Sequence, residues 1–300
     1  MMRFHRLQAA MLFEHERPSA TASRAGRCFR TAADGRIALT RDWPALLRES
    51  YRAGRFAVQT RHASARLIKI TDLGELALRA GGAIAVASDE TGVLGFRFGS
   101  WGRAWGFLRS CECCGSPGRL EVRNRKGGEF LQFSALPVAD PHSWSEYLAA
   151  VASSTVREGH ALALEPATSA AAFELPRLRR ASVRLPFHLE GLGTLLNAFG
   201  DEGLAICCTV STADLLHRRD IVPRGVTEHA GILSAGEPGA RVQLAWPAVQ
   251  ALALTSDVTG WSLHIVGADD AVLLTLSAAA DPRASAAWRG ALRTAFPGLR

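Results

Sequence analysis

The second half of the chain repeats the order of landmarks found in the first half. A pair of leucines precedes a glycine and an apolar stretch twice, as Leu46-Leu47 and again as Leu195-Leu196. Further landmarks recur in the same order at a nearly constant spacing of about 145 residues, namely Trp101 and Trp246, Gly118 and Gly260, and Trp144 and Trp288. The sequence therefore predicts an internal duplication, which restricts the fold to two similar repeats.

Each half has the pattern of an α+β unit. Short apolar or alternating stretches predict antiparallel strands at 56–60, 83–87, 94–98, 120–123 and 130–133, and again at 204–208, 261–266 and 272–276. Helices are predicted from Asp42 to about Gly54 and after Pro141. The predicted fold class is α+β, with two tandem structural repeats that are each an antiparallel β-sheet flanked by helices. The expected boundaries are an N-terminal extension over 1–38, the first repeat over 39–155, a linker over 156–184 and the second repeat over 185–300.

Charge and cysteine usage narrow the setting in which the chain works. The 35 Lys and Arg residues exceed the 28 Asp and Glu residues, and the net charge is +7. Such a balance is typical of an ordinary solvated surface, or of one that attracts nucleic acid, an acidic membrane or a carboxylate-bearing small molecule. No apolar run is long enough to span a bilayer, and no secretory signal pattern is present. The six cysteines do not form a spaced disulfide framework, so we expect a reducing cytoplasm.

Several weak motifs follow one another in a set order from Asp42 to the C-terminus. They are Thr60-Arg61, the segment 96–101 and the Trp144 helix in the first half, and the segments 242–244, 251–254, 260–263 and 288–289 in the second. This order resembles the bacterial cytoplasmic hemin-transport and hemin-degrading factors, which are the HemS-type proteins and the related single-repeat ChuX-type proteins. The resemblance implies haem as ligand, a role in haem-iron utilisation, and a haem importer or haem oxygenase as delivery partner. Any catalysis would be haem degradation, in which the bound iron activates oxygen.

The resemblance also implies a set of haem-binding residues. The family's axial ligand is a histidine at the start of the second repeat's first helix. Glu190 stands at the aligned position, and His188, two residues earlier, is the implied ligand of the haem iron. Arg97 is the implied propionate partner, because arginine pairs bidentately with carboxylates. Arg61 and Trp101 complete the implied haem-binding set.

Other positions depart from the family pattern. Leu67 and Leu131 stand where the family has histidines, and Ser256 and Asp257 stand where it has basic residues. Leu67 and Leu131, together with Glu190, support a second hypothesis, in which the chain is a degenerate, non-haem regulatory or interaction module. Transport and degradation both stay open, and so does a homodimer.

A cysteine cluster supports a third hypothesis, a thiol-based metal carrier. Cys111, Cys113 and Cys114 lie close together, and clustered thiolates bind zinc or copper(I). No second Cys or His pair follows at zinc-finger spacing, so a redox-active thiol cluster is an equal alternative. Cys207 and Cys208 lie in a predicted strand, and we expect both to be buried.

Known catalytic motifs are missing from the sequence. It has no glycine-rich phosphate loop, no nucleophile elbow and no HExxH zinc motif, which disfavours an enzyme with its own organic catalytic apparatus. Nucleic-acid binding is disfavoured because the basic residues are dispersed without interleaved aromatics. His217 lies in a charged run, which predicts a solvated turn. The leading hypothesis is therefore a cytoplasmic haem-binding protein that sequesters imported haem or hands it on.

Overall fold

The order of structural elements in the first half of the chain recurs in the second. A computed structural model describes residues 36–71, 79–81, 84–108, 118–127, 129–136, 139–152, 183–212, 214–257 and 260–297. Within them, each half has a short strand, a helix, five strands, a 3-10 turn, three strands and a final helix. The predicted duplication and the predicted α+β class are confirmed.

The described elements have the following bounds. The first half contains β1 (Arg36–Ala38), α1 (Trp43–Arg48), β2 (Phe56–His62), β3 (Ala65–Thr71), β4 (Arg79–Gly81), β5 (Ile84–Asp89), β6 (Gly92–Arg97), β7 (Trp101–Phe107), β8 (Arg119–Asn124), β9 (Glu129–Ala135) and α2 (Pro141–Ala150). The second half contains β10 (Val183–Pro186), α3 (Leu189–Asp201), β11 (Ile206–Ser211), β12 (Leu215–Ile221), β13 (Thr227–His229), β14 (Ile232–Glu237), β15 (Ala240–Ala245), β16 (Ala251–Asp257), β17 (Gly260–Val266), β18 (Val272–Ala278) and α4 (Pro282–Ala295).

The chain divides into two compact units that mostly follow the two halves. Among the described residues, unit 1 contains those up to Thr60, within Ile68–Asp89 and within Leu94–Ala171, and unit 2 contains those within Arg61–Leu67, Glu90–Val93 and Ala172–Arg300. Two short segments of the first half thus belong to unit 2. There the start of β3 lies beside β15 and the start of β6 lies beside β12. The backbone N–H of Ala245 donates to the Ser64 carbonyl at 2.8 Å.

The main strands have the same order in the two units. The order in unit 1 is β1-β7-β8-β9-β2-β3, and the order in unit 2 is β10-β16-β17-β18-β11-β12. The pairs β7–β8 and β16–β17 are both antiparallel. A repeated sequence pattern has therefore produced a repeated strand order, as duplication requires.

Aromatic side chains of α2 fill the core of unit 1. Trp144 and Tyr147 are fully buried, and the Trp144 ring lies near Phe56 with a centroid separation of 6.4 Å. The Tyr147 hydroxyl donates to the Leu46 carbonyl of α1 at 3.0 Å, which satisfies a polar group that would be costly to bury alone. A Cβ on Gly118 would clash with the Trp144 indole nitrogen, so glycine is required beneath this ring.

The core of unit 2 is built in the corresponding way. Leu195, Leu196 and Phe199 of α3 pack with Trp288 and Leu292 of α4 in one buried cluster. The Trp288 indole N–H donates to the Trp261 carbonyl at 2.8 Å, which joins α4 to β17. The paired leucines and the C-terminal tryptophans that indicated duplication are thus core residues in both units.

Some local expectations are corrected by the structure. The helix predicted from Asp42 to Gly54 ends at Arg48, and a 3-10 turn follows over Glu49–Ala53. His217 does not lie in a solvated turn; it is 1% exposed in β12, because alternate residues of that strand point inward. Cys207 and Cys208 are both buried in β11, as expected.

Further expectations concern segments that lie outside the described residues. Cys111, Cys113 and Cys114 lie there, as do most of the predicted linker and most of the predicted N-terminal extension. Among the helices that are described, none has the length and apolarity to cross a membrane.

Candidate ligand-binding cavity

Unit 1 contains a cavity of about 760 Å³. This volume lies within the range of small-molecule sites in proteins, about 300 to 1,000 Å³. Its lining residues come from α1, β7, β8 and the loops beside them: Arg41, Trp43, Phe98, Trp101, Gly102, Arg103, Trp105, Arg123, Asn124, Arg125, Lys126 and Gly127. All of them belong to unit 1.

The start of β7 forms one wall of the cavity. Trp101, Gly102, Arg103 and Trp105 all line it, and Arg103 and Trp105 follow the alternation of side chains along a strand. The pairing of β7 with β8 shifts register between Trp101 and Arg103, so Gly102 lies at a bulge. A Cβ on Gly102 would lie 2.8 Å from the Asn124 carbonyl oxygen, so only glycine permits this close approach of the two strands.

Four aromatic residues form the apolar part of the lining, and Trp101 is the centre of this group. It is 3% exposed, and its ring meets the rings of Trp43 and Phe98 edge to face, with centroid separations of 5.3 and 5.0 Å. Phe96, behind the lining, meets it at 5.5 Å. Since edge-to-face packing on several sides restrains a ring, the aromatic wall is preorganised before any ligand arrives.

Five cationic side chains line the same cavity, and no acidic residue is among the described residues that line it. Arg103 and Arg123 are direct partners across the β7–β8 ladder. Like charges at directly opposite positions are destabilising unless an anion lies between them. The unit therefore concentrates positive charge around the cavity at a cost in stability, which is the pattern of an anion-binding site.

The cationic side chains are mostly available to a ligand. Within the described residues, Arg41, Arg103, Arg125 and Lys126 form no ion pair. Arg123 has one weak partner, because its Nη2 lies 3.5 Å from Oε2 of Glu121. The other oxygen of that buried carboxylate is held by Arg119 Nε at 2.8 Å. Glu121 is thus largely committed to Arg119, and the charge on the cavity side remains positive.

A second cavity of about 430 Å³ adjoins the first. The two share Arg41, Arg103 and Trp105 as lining residues. These three side chains therefore contact both spaces, and a ligand larger than the first cavity can extend past them.

The four residues implied for haem binding fall in different places. Trp101 lines the cavity. Arg97 ends β6 in unit 1, next to the lining residue Phe98 but outside the lining itself. Arg61 lies in β2 and belongs to unit 2. His188 also belongs to unit 2, where it is the exposed N-cap of α3, and its side chain makes no capping hydrogen bond. Their shared role in one site stays a prediction.

Most of the cavity residues were missed by the sequence analysis. The expectation that basic residues are dispersed among few aromatics is wrong for unit 1, where cations and aromatics line one space. Two signals were nevertheless present in the sequence. Trp101, Arg103 and Trp105 alternate along one strand, and Arg125 and Lys126 lie in the hairpin that follows β8.

The described residues give no support to a metal-ion site. Among them, no group of three or more His, Cys, Asp or Glu side chains could hold a metal ion. Burial raises the pKa of the Cys207 thiol, despite the opposing effect of Arg218, whose Nε lies 3.0 Å from its sulfur. Cys207 is therefore a poor thiolate ligand. The metal-carrier hypothesis rests on Cys111, Cys113 and Cys114 alone.

Comparison with solved structures identifies the fold. The haem-bound form of PhuS, a haem-binding protein from Pseudomonas aeruginosa, matches with a TM-score of 0.68 and 14% identity over 88% of each chain. The haem-degrading enzyme ChuS of Escherichia coli O157:H7 matches with a TM-score of 0.69 and 15% identity over 90% of each chain. A second structure of ChuS, described as an E. coli haem oxygenase, matches with a TM-score of 0.68 and 15% identity over 98% of this chain and 99% of that one.

These likenesses confirm the resemblance to the HemS-type proteins at the level of fold. At the level of sequence, no protein-family model and no curated protein matches the chain. The sequence identities of 14% and 15% show that the chain has diverged far from these proteins. This divergence agrees with the departures at Leu67, Leu131 and Glu190.

Proposed function

We propose that this chain, which has the fold of the haem-binding PhuS and the haem-degrading ChuS, binds haem in the cavity of unit 1. Fold alone does not determine function, so the proposal depends on the site. The observation that carries it is the combination, in one cavity of about 760 Å³, of aromatic side chains and four arginines, of which Arg41, Arg103 and Arg125 form no ion pair within the described residues. Haem requires both, because it is a flat aromatic ring with two carboxylates at one edge.

The arginines suit the propionates of haem. Arginine presents a planar fork of donors that pairs bidentately with a carboxylate. Arg103 and Arg123 face each other across two strands, so a propionate between them would relieve their mutual repulsion. Arg125 and Lys126 extend the positive charge along the adjoining hairpin. Electrostatic attraction at this rim would speed the capture of an anionic ring.

The aromatic residues suit the porphyrin plane. Trp43, Phe98 and Trp101 are each 8% exposed or less, so their rings form an apolar wall that needs little rearrangement. Flat rings stack against such walls with a gain beyond simple burial. Haem that leaves water for this cavity would be held by its face and by its carboxylate edge.

The cellular role that follows is the handling of imported haem in a bacterial-type cytoplasm. The chain would sequester haem or pass it on, with a haem importer or a haem oxygenase as exchange partner. Exposed cations at the cavity rim leave one edge of the ligand accessible for transfer. Haem degradation would be the chemistry of the bound iron, and here the protein would supply the cavity and its electrostatics.

His188 is a separate candidate for contact with the iron. It is exposed at the start of α3, and its ring is not occupied as a helix cap. A neutral imidazole is a competent axial ligand of haem iron. We keep it as a proposed ligand in unit 2, to be tested independently of the cavity in unit 1.

A hemin titration followed by absorbance tests the proposal. The wild-type chain should show a saturable Soret shift, and Arg103→Ala should weaken binding about tenfold, because it removes one charge-assisted contact. The matched control is Arg293→Ala, an exposed arginine of α4, which should leave the affinity unchanged. His188→Ala reports whether the imidazole ligates the iron. If the wild-type chain gives no saturable shift, haem binding is wrong and the non-haem module is favoured.

A further inference from the structure

The described lining of the unit 1 cavity contains none of the side chains that usually ligate haem iron. Haem iron in proteins is held by histidine, cysteine, methionine or tyrosine. Within the described part of the chain, none of these is among the lining residues, which are arginines, a lysine, tryptophans, a phenylalanine, an asparagine and glycines. The described lining therefore offers contacts to a carboxylate edge and to a ring, and its side chains include no ligand to a metal.

The contacts that are present are built into the fold. Arg103 and Arg123 are fixed opposite each other by the β7–β8 register, and the bulge at Gly102 brings the hairpin close to β7. The indole of Trp101 is 3% exposed and is packed by aromatic rings on several sides. Recognition elements that are rigid before binding lower the entropic cost of association. Both elements recognise groups that a porphyrin retains without its metal.

We propose that the cavity of unit 1 recognises the dicarboxylate tetrapyrrole itself and not its iron, so that it binds metal-free porphyrin as tightly as haem. This inference rests on the proposed function and specifies its ligand class. A cavity of this kind would accept the ring before iron is inserted or after it is removed. It would also release haem readily to any partner that supplies an axial ligand, because no bond to iron has to break.

Three ligands separate the contributions of iron, carboxylates and ring. Hemin carries all three, protoporphyrin IX lacks the iron, and protoporphyrin IX dimethyl ester lacks both the iron and the negative charges. Each is titrated into the full chain in the same low concentration of non-ionic detergent, and binding is followed by quenching of tryptophan fluorescence. The cavity contributes three of the seven tryptophans, so quenching reports binding, and the Arg103→Ala variant assigns that binding to the cavity. The variants are Arg103→Ala and the control Arg293→Ala.

The expected result is a protoporphyrin IX affinity within about threefold of the hemin affinity, and a dimethyl ester that binds about ten- to hundredfold more weakly. Arg103→Ala should weaken hemin and protoporphyrin IX by the same factor and leave the ester unchanged. Its free energy of unfolding should not fall, since the substitution removes a repulsion between facing arginines.

Each contrary result has a distinct meaning. Hemin binding without protoporphyrin IX binding overturns the inference and leaves haem binding standing, with the iron ligand as its main determinant. Equal binding of the dimethyl ester, or insensitivity of protoporphyrin IX to Arg103→Ala, overturns recognition through the carboxylates in this cavity. Failure of all three ligands to bind overturns the proposed function as well.

Discussion

The two repeats have the same strand order but opposite charge at corresponding places. The hairpin between β8 and β9 carries Arg125 and Lys126, whereas the hairpin between β17 and β18 carries Asp269 and Asp270. Asp270 is bound by Arg184 at 2.6 Å, so the acidic hairpin already has a cationic partner within unit 2. The same strand order thus carries a cationic hairpin in one repeat and an acidic, internally paired hairpin in the other.

The residues at the start of the first helix also differ in charge between the two repeats. If the paired leucines are aligned, Arg41 corresponds to Glu190 and Trp43 corresponds to Leu192. Arg41 and Trp43 line the large cavity of unit 1, whereas Leu192 lines a cavity in unit 2 of only about 10 Å³, no larger than one water molecule. Unit 1 thus has a cation and an indole beside an open cavity, whereas unit 2 has an acid and a leucine at the same positions beside a filled space.

Helix length supplies a physical reason for this difference. Helix α3 begins at Leu189, one turn earlier than α1 in the leucine alignment, and α4 is longer than α2. The extra turn packs closely, since a Cβ on Gly191 would lie 2.7 Å from the Ala295 carbonyl oxygen. In unit 1, Asp42 caps α1 instead, accepting from the Ala45 N–H at 3.0 Å. A duplicated fold can thus keep its architecture while a few residues at helix starts and hairpins decide which repeat has an open, cationic cavity.

The largest effect on hemin binding is expected from reversing the charges of the hairpin between β8 and β9. Arg125→Asp combined with Lys126→Asp gives the first hairpin the charge of the second, and hemin affinity should fall about 100-fold at low salt. The loss should shrink as salt is added, because exposed charges are screened. Asp269→Asn combined with Asp270→Asn is the matched control, as asparagine tolerates the positive φ values of 55° and 56° there. An equal loss of affinity in this control would contradict the assignment of binding to unit 1.

The buried tryptophans Trp144 and Trp288 should contribute differently to the stability of the two cores. Trp288 donates to the Trp261 carbonyl at 2.8 Å, whereas the Trp144 indole N–H has no hydrogen-bond partner among the described residues. Trp288→Phe should therefore lower the free energy of unfolding by about 1 kcal/mol more than Trp144→Phe, which is the net value of one buried hydrogen bond. Urea denaturation of both variants measures this difference. Equal losses would show that the Trp261 bond adds nothing to stability.

A third test uses His264 in β17, because the corresponding position in β8 is not a histidine. His264 in β17 is 4% exposed and lies between the Thr255 and Thr275 hydroxyls at 2.8 and 2.9 Å, and burial lowers its pKa. The unfolded chain therefore binds a proton at His264 more readily than the folded chain does. The stability that depends on neutral His264 is fully present above about pH 6.5 and is lost as the pH falls.

Val122 occupies the corresponding place in β8 when Gly118 is aligned with Gly260. His264→Val should flatten the fall in unfolding free energy between about pH 7 and pH 5, where one titrating group contributes at most about 1.4 kcal/mol per pH unit. Denaturant titrations across this range supply the measurement. A variant with the wild-type slope would show that His264 does not titrate on unfolding. Burial also lowers the pKa of His62, so part of the slope should persist in the variant.

The smallest effect is expected at the acidic hairpin. The Arg184 and Asp270 side chains are 57% and 64% exposed, so Asp270→Asn should change the free energy of unfolding by less than about 0.5 kcal/mol. Thermal denaturation at low and high salt checks this value. A larger loss that salt does not reduce would mean that the hairpin stabilises unit 2 by more than a surface ion pair.

Much of the architecture could be predicted from the sequence because its causes are local. Leu46-Leu47 and Leu195-Leu196 mark core-facing helix stripes, and Trp144 and Trp288 mark the closing helices, so duplication could be inferred without coordinates. Strand positions followed from short apolar runs between glycines, with end points displaced by a few residues. His217 was misjudged because a charged neighbourhood outweighed alternation, although β12 buries every second residue.

The candidate site could not be predicted in the same way, because its parts are far apart in the chain. Trp43, Arg103 and Arg125 come from a helix start, a strand and a hairpin, and only the β7–β8 register places Arg103 opposite Arg123. The assignment of Arg61–Leu67 and Glu90–Val93 to unit 2 is likewise a matter of long-range strand pairing. The sequence by itself determined the duplicated α+β plan, since periodicity and capping act over a few residues. Tertiary structure alone decided where charge and aromatic rings converge, since register and helix length act between segments that the sequence keeps apart.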